Sequence, residues 1–172
     1  MGTPHRWAYV ALGSNLGDSP SILKAAMARL QELSTEPVLA SSLWQTEPVN
    51  CPPGSPRFTN GVVGLVPPPA STPESLLAAL QALEKEFGRQ PKRLLNEPRP
   101  LDLDLIAFGN LTRASEQLML PHPRAHERRF VLQPLSEIAP DLTLPGQTKT
   151  VAQLLAGLPP GESVRKLLPT AG

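Results

Sequence analysis

The chain is poor in cysteine, in aromatic side chains, in long apolar runs and in net charge. Cys51 is the only cysteine among 172 residues, so no internal disulfide can form and folding must depend on a packed core. No apolar run approaches the length of about 18 residues that a membrane-spanning helix needs. We therefore expect a single domain over residues 1–172, soluble in the reducing cytoplasm and without a membrane partner.

Charge and aromatic content also argue against nucleic-acid binding. The 16 basic and 15 acidic residues nearly cancel, whereas a nucleic-acid surface usually carries a basic excess. A ferredoxin-like RNA-binding module is one alternative to an enzyme, but its sheet needs several aromatic side chains for base stacking. The third predicted strand supplies only Phe58, so we expect no nucleic-acid partner.

Apolar periodicity predicts the element order strand, helix, strand, strand, helix, strand. The predicted strands cover residues 6–12, 38–46, 57–66 and 101–108. The predicted helices run from a cap at Ser19 to about Leu33, and from a cap at Thr72 to Gly88. This order is typical of an α+β fold, the ferredoxin-like βαββαβ sandwich, with an antiparallel sheet and helices on one face. The other face would then be free for a ligand.

A short C-terminal extension follows the predicted sandwich. Pro134 should interrupt any long helix there, because proline lacks the N–H group that a helix interior uses. A short helix is predicted from Thr150. No linker marks a second domain.

Residues 99–109 read RPLDLDLIAFG, in which Leu alternates with Asp. On a strand, Asp102 and Asp104 share one face with their side-chain origins about 7 Å apart. Carboxylates so close repel each other unless a cation lies between them, and Mg²⁺ prefers oxygen ligands of this kind. The pattern predicts a magnesium site. The alternative is an edge strand whose aspartates face solvent, which is the more common meaning of a bare DxD pattern.

Basic residues precede the two aspartates, namely Arg89, Lys92, Arg93 and Arg99. Guanidinium groups match phosphate oxygens, so arginine beside metal-binding carboxylates favours phosphoryl transfer. A solvated basic loop is an equally good explanation of the cluster. Another metal-dependent enzyme with a DxD pattern, such as a nucleotidyl- or glycosyltransferase, stays open as well.

Three weaker signals complete the pattern. His122 follows a proline among arginines and could contact a nucleotide. Phe58 and Asn60 lie two apart on a strand, so both could face a flat heterocycle, although Phe58 alone would more often pack in a core. The stretch GSNLGDS lacks the Lys-Ser/Thr end of a phosphate-binding loop, and we interpret it as a structural turn.

The sequence resembles the bacterial 6-hydroxymethyl-7,8-dihydropterin pyrophosphokinases over nearly its whole length. The resemblance lies in YVALGSNLGD, PRPLDLDLIAFG and LPHPRAHERRFVLQPLSEIAP. It implies the ferredoxin-like fold and transfer of the β,γ-pyrophosphate of ATP to the hydroxymethyl group of the pterin. AMP is released, and the product enters folate biosynthesis. We accordingly expect a monomer whose partners are ATP and the pterin.

The resemblance also implies roles for individual residues. Asp102 and Asp104 would hold two Mg²⁺ ions, and with Arg89 and Arg99 they would form the catalytic group. The implied ATP-binding residues are Gln81, Glu84, Arg89, Arg99, His122 and Arg128. The implied pterin-binding residues are Thr46, Pro48, Val49, Phe58, Asn60 and Phe130. The rings of Phe58 and Phe130 would sandwich the pterin, while Asn60 and backbone groups near Thr46 would bind its edge.

The chain departs from the family pattern in one loop. The second lid loop of the family often carries Trp-Gly just before its Pro-Arg, where this chain has Asn96 and Glu97. The lid contacts are therefore expected to differ from those of the family.

Overall fold

The computed structural model describes residues 7–15, 19–46, 58–88, 101–159 and 164–167. Its strands are β1 (Ala8–Ser14), β2 (Leu39–Ala40), β3 (Trp44–Thr46), β4 (Phe58–Leu65), β5 (Asp102–Phe108), β6 (Arg113–Ala114), β7 (Met119–Leu120) and β8 (Val164–Lys166). Its helices are α1 (Ser19–Gln31), α2 (Pro73–Glu86), α3 (Arg129–Ile138) and α4 (Val151–Ala156), with a 3-10 turn at Ala125–Glu127. None of the described helices is long and apolar enough to cross a bilayer.

The main sheet has the strand order β5-β1-β4-β3-β8, with β2 also paired to β4. Neighbouring strands are antiparallel throughout. Up to β5, this order and the two crossover helices α1 and α2 form the ferredoxin-like βαββαβ arrangement, so the predicted fold class is confirmed. Strands β6 and β7 pair with each other as a small hairpin after β5, apart from the main sheet among the described strands.

Helices α1 and α2 pack on one face of the sheet, as predicted. Alternate residues of β1 meet the apolar stripes of both helices in a first core, which includes Val10, Leu12, Leu23, Leu30, Leu80 and Leu83. The Thr72 hydroxyl accepts the Ser75 N–H at 3.0 Å, and the Ser75 hydroxyl accepts the Thr72 N–H at 2.9 Å. This reciprocal cap starts α2, and Gly88 follows its end with a positive φ of 96°.

The opposite face of the sheet is covered by the C-terminal extension. Tyr9, Val62 and Ile106 point to this face, where a second core forms against Val131, Leu132, Leu135 and Val151 of α3 and α4. The expectation that this whole face is free for a ligand was therefore wrong. The extension buries apolar residues that the βαββαβ unit alone would leave in water. A ligand on this face must bind beside the second core.

Helix α3 runs through Pro134, contrary to the predicted interruption. Proline cannot donate a hydrogen bond to the carbonyl of Phe130 four residues earlier, and in a helix interior it costs about 3 kcal/mol relative to alanine. Val131, Leu132 and Leu135 are nevertheless almost fully buried. Burial of such side chains contributes about 1.5–3 kcal/mol each, which outweighs the loss.

Two strand boundaries differ from the prediction for reasons of hydrogen bonding. The predicted strand at 38–46 is interrupted because the Val62 N–H donates to the Ser41 hydroxyl at 2.9 Å and the Ser42 N–H donates to Glu137 at 3.0 Å. Strand β1 continues through Gly13 and Ser14, which the prediction assigned to a turn. These two residues pair with Asn60 and Thr59 of β4 and so belong to the strand, while residues 16–18 of the predicted turn lie outside the described residues.

Two further element ends also differ. Helix α1 begins at Ser19 itself and ends at Gln31, two residues before the predicted end. Strand β8 was not predicted, since its sequence VRK has no alternation long enough to mark a strand. It forms because β3 offers an open edge beside it.

Both cores should contribute measurably to the free energy of unfolding. Leu30 of the first core and Leu135 of the second are both fully buried, so Leu30→Ala and Leu135→Ala should each lower the free energy of unfolding by about 2–5 kcal/mol. Urea denaturation measures both. A loss below about 1 kcal/mol for Leu135→Ala alone would mean that the extension does not pack as a core.

Candidate active site

Four strands each place one residue in a single row across the sheet. The residues in register are Asp102 on β5, Gly13 on β1, Asn60 on β4 and Trp44 on β3. Directly paired residues point to the same face of a sheet. Asp102 and Asn60 therefore face the same side, about 10 Å apart across two strand spacings, with Gly13 between them.

Gly13 provides the room that the Asn60 side chain occupies. A Cβ atom at position 13 would lie 3.2 Å from the Asn60 Oδ1, closer than ordinary van der Waals contact. On its other side, the Asn60 Nδ2 donates to the Thr46 hydroxyl at 2.6 Å. The amide thus extends from Thr46 to the space above Gly13. Sequence reasoning missed Gly13, although a glycine inside a strand often marks such a close approach.

Asp102 and Asp104 lie on this same face of β5, opposite Gly13 and Ala11. Asp102 is half-buried and Asp104 is exposed. Between them, the Leu103 N–H donates to the buried Glu84 carboxylate of α2 at 2.8 Å. Glu84 therefore holds the strand that carries both aspartates, and a contact between Glu84 and a nucleotide stays a prediction.

A β-bulge brings His122 to the same strand. Tyr9 pairs with Ala107 and Val10 with Leu105, so Ile106 is an extra residue in β5. Its carbonyl accepts the His122 N–H at 2.9 Å. His122 also lines a groove of about 260 Å³ along the edge of β5, with Leu77, Leu103, Asp104, Leu105, Glu116, Gln117, Leu118, Met119 and Pro123.

His122 presents a defined donor to this groove. Its Nδ1 accepts the Arg124 N–H at 3.2 Å, so in the neutral ring the proton lies on Nε2. Burial lowers the pKa of His122, and the positive charges of Arg128 and Arg124 lower it further. The imidazole is therefore neutral near pH 7, with an N–H that can donate to a ligand oxygen or nitrogen.

The other candidate residues that the structure describes are Arg128, Phe130, Phe58 and Gln81. Arg128 places its guanidinium carbon 5.4 Å from the ring centroid of Phe130, a cation–π contact at the start of α3. Phe130 is half-buried against the second core, whereas Phe58 is 38% exposed at the start of β4, opposite Thr46. Gln81 is exposed on α2, one helical turn beyond Leu77 of the groove. A sandwich of the two Phe rings around a ligand stays a prediction.

Several candidates lie outside the described residues, and their roles stay predictions. They are Pro48 and Val49 of the pterin set, the catalytic arginines Arg89 and Arg99, and the lid positions Asn96 and Glu97.

The carboxylate pair fits a magnesium ion that is shared with a substrate. Within the described ranges, no group of three or more His, Cys, Asp or Glu side chains comes together. A cage built by the protein alone would need such a group, whereas Mg²⁺ commonly binds through one or two carboxylates together with substrate phosphates and water. Two carboxylates on one face of β5, with Asp104 exposed and Asp102 half-buried, match that second type of site.

Comparison with known proteins identifies the family. The sequence model of 7,8-dihydro-6-hydroxymethylpterin-pyrophosphokinase (HPPK) matches residues 9–140. The chain belongs to the HPPK family. Pyrophosphoryl transfer to a hydroxymethyl dihydropterin, in folate synthesis, is the activity of this family and of this chain. The resemblance drawn from the sequence motifs is thereby confirmed.

Curated HPPK relatives cover most of the chain. A 2-amino-4-hydroxy-6-hydroxymethyldihydropteridine pyrophosphokinase of Pseudomonas aeruginosa is 42% identical over 152 residues, which are 88% of this chain and 91% of the relative. The protein of the same description from Haemophilus influenzae is 41% identical, over 80% of this chain and 84% of its own length. The folic acid synthesis protein fol1 of Schizosaccharomyces pombe is 36% identical over 91% of this chain, which spans only 21% of that longer protein.

Solved HPPK-DHPS structures share the fold. A crystal structure of HPPK-DHPS in complex with substrates aligns with a TM-score of 0.71 at 12% identity, over 90% of this chain and 43% of that chain. The Plasmodium falciparum HPPK-DHPS with pteroate gives a TM-score of 0.67 at 13% identity, over 88% of this chain and 42% of that chain. At such low identity these likenesses establish the fold alone.

The lowered pKa of His122 predicts a pH-dependent stability. The unfolded chain binds a proton at this histidine near pH 6.5, whereas the folded chain binds it only at lower pH. Lowering the pH through about 6.5 therefore favours the unfolded state, and the loss is complete below the folded-state pKa. Urea denaturation from about pH 8 to 5 should show wild type losing stability relative to His122→Gln as the pH falls.

A titration of the His122 ring by NMR tests the cause directly. Arg128→Gln removes one of the positive charges that lower the pKa, so the His122 pKa should rise in this variant. An unchanged pKa would contradict the contribution of Arg128.

Proposed function

We propose that the chain takes its pyrophosphate from ATP, releases AMP and binds both substrates on the face of Asp102 and Asn60. The observation that carries this proposal is the row in which Asp102 and Asn60 point to the same side, with only Gly13 between them. Carboxylates suited to a metal–phosphate group thus lie across a single intervening strand, β1, from an amide suited to a heterocycle.

The Asn60 end of the row suits the pterin. A pterin edge carries both N–H donors and acceptor atoms, and an amide offers both a donor and an acceptor to match them. The Thr46 hydroxyl orients this amide through the 2.6 Å bond from Nδ2. Phe58 supplies an exposed ring next to it, and Phe130 is the proposed partner on the other side of the heterocycle. Pro48 and Val49 complete the proposed set.

The Asp102 end of the row suits the nucleotide. Asp102 and Asp104 would hold two Mg²⁺ ions, which when bound would neutralise phosphate charge on both sides of the transferred group. The Nε2–H of His122 and the guanidinium of Arg128 can donate to ATP from the segment before α3. The other proposed ATP-binding residues are Gln81, Glu84, Arg89 and Arg99.

The reaction needs positioning more than a reactive side chain. A bond forms between the pterin hydroxymethyl oxygen and the β-phosphorus, while the bond from that phosphorus to the bridging oxygen of AMP breaks. The hydroxyl proton is released, so the products are the pterin diphosphate, AMP and H⁺. No side-chain nucleophile takes part, and the arrangement of the two substrates supplies most of the rate.

Other expectations accompany this proposal. We propose one domain over residues 1–172, which the pairing of β8 with β3 in the common sheet supports. A monomer, a cytoplasmic location and the lack of nucleic-acid and membrane partners stay predictions from the sequence.

Product analysis tests the proposed reaction. With ATP, Mg²⁺ and 6-hydroxymethyl-7,8-dihydropterin, we expect AMP and the pterin diphosphate in equal amounts, measured by ion-exchange chromatography. A nucleotidyltransferase would release pyrophosphate, and a glycosyltransferase a nucleoside diphosphate. Either of these products in place of AMP would overturn the assignment.

Loss of one carboxylate should lower turnover through the metal. Asp102→Asn and Asp104→Asn each remove charge from a proposed Mg²⁺ ligand, so we expect a fall on the order of 100-fold or more at limiting Mg²⁺. Initial rates over a Mg²⁺ titration measure this. Asp141→Asn, which changes an exposed aspartate after α3, serves as the matched control. Near-normal activity of either variant at limiting Mg²⁺ would overturn the metal assignment.

A methyl group at position 13 should disturb the pterin site selectively. In Gly13→Ala the new Cβ atom meets the Asn60 Oδ1 at 3.2 Å, so the amide must move. We expect the Kd for 6-hydroxymethylpterin to rise about tenfold, while the Kd for α,β-methylene-ATP changes less than about twofold. Calorimetric titration measures both, and an equal loss for both ligands would indicate general misfolding instead.

A further inference from the structure

Glu137 lies at the end of α3, outside every set of residues assigned above. Its carboxylate accepts the Trp44 Nε1–H at 2.7 Å and the Ser42 N–H at 3.0 Å on Oε1, and the Ser42 hydroxyl at 2.8 Å on Oε2. The Lys166 ammonium is 3.7 Å from Oε2. The side chain is only 26% exposed, and hydrogen bonds to an ionised acceptor are about twice as strong as neutral ones.

These bonds help to hold β3 in register, together with its short ladders to β4 and β8. Strand β3 has only three residues, and its ladder is separated from β2 by the interruption at Ser41–Leu43. At that interruption the Ser42 N–H bonds to Glu137. The bond to the indole of Trp44 then fixes the residue that pairs with Asn60.

The register of β3 determines where the Thr46 hydroxyl lies. Trp44 and Thr46 are two apart, so both point to the face that carries Asn60. A slip by one residue would turn the Thr46 side chain to the opposite face. In the observed register Thr46 accepts the Asn60 Nδ2–H, which leaves the Asn60 Oδ1 above Gly13. The chain of contacts therefore runs from Glu137 through β3 to the Asn60 amide.

We propose that Glu137 is a positioning residue for pterin recognition, acting through β3 on the orientation of the Asn60 amide. This inference rests on the proposed role of Asn60 in binding the pterin edge. Glu137 touches neither substrate in this scheme, so its loss should affect the pterin and leave the nucleotide unaffected.

The test compares Glu137→Ala with the conservative Glu137→Gln. Glutamine keeps an acceptor oxygen for Trp44 and the Ser42 N–H, and its amide can donate to the Ser42 hydroxyl. We expect Glu137→Ala to raise the Kd for 6-hydroxymethylpterin about tenfold, and Glu137→Gln to stay within about twofold of wild type. The Kd for α,β-methylene-ATP should stay within about twofold in both. Calorimetric titration gives all values.

Thr150→Ala is the control for simple destabilisation. Thr150 caps α4 by accepting the Gln153 N–H at 3.2 Å, so its loss weakens the packing of the extension without touching β3. This variant should bind the pterin analogue as wild type does. Should Glu137→Ala fail to fold, Trp44→Phe removes the indole donor to Glu137 while keeping an aromatic ring, and is expected to raise the same Kd.

A double-mutant cycle with Asn60→Ala tests the positioning role of Glu137 separately from the proposed pterin-binding role of Asn60. If Glu137 acts through Asn60, Glu137→Ala should raise the pterin Kd in the wild-type background and have no further effect in Asn60→Ala. An equal effect in both backgrounds, or none in wild type, would overturn the role of Glu137. A Glu137→Gln variant as weak as Glu137→Ala would do the same. An Asn60→Ala variant with normal pterin binding would instead overturn the proposed pterin site.

Discussion

The antiparallel register of β1 between β5 and β4 is the constraint on which the candidate site depends. It sets Gly13 opposite Asp102 on one side and opposite Asn60 on the other. Because side chains alternate along a strand, a slip of β1 by one residue would replace Gly13 in this row by a residue with a side chain. The carboxylate and the amide would then be separated by that side chain, and the two ends of the site would no longer share open space.

The two cores of the molecule support this register from opposite faces. The first core ties β1 to α1 and α2, and the second ties the same strand to α3 and α4. Val10 is buried on one side of β1 and Tyr9 on the other, so the strand cannot shift without exposing apolar surface on both faces. The C-terminal extension thereby contributes to the site although most of its residues lie outside it.

Two glutamates act on the site's strands from neighbouring helices. Glu84 of α2 accepts the Leu103 N–H between the two aspartates, and Glu137 of α3 accepts the Ser42 N–H ahead of β3. In both cases a carboxylate satisfies a backbone donor that the ladder does not use, which avoids the cost of leaving that donor unpaired. The strand of the two aspartates and the segment before β3 are thus held by two glutamates that sequence motifs alone do not reveal.

The sequence by itself determined the fold class, the family and the candidate residues of the metal and pterin groups. Leu-Asp alternation predicted the strand of Asp102 and Asp104, and the cap signal at Thr72 predicted the start of α2, because these are local patterns with a local physical cause. Only the tertiary structure decided that α3 and α4 cover the second face, that helix α3 continues through Pro134, and that β8 joins the sheet. It alone also revealed Gly13 beneath the Asn60 amide and Glu137 behind β3. These features arise from contacts between residues far apart in the chain, and no local pattern records which distant partner will bury a face or accept a backbone N–H.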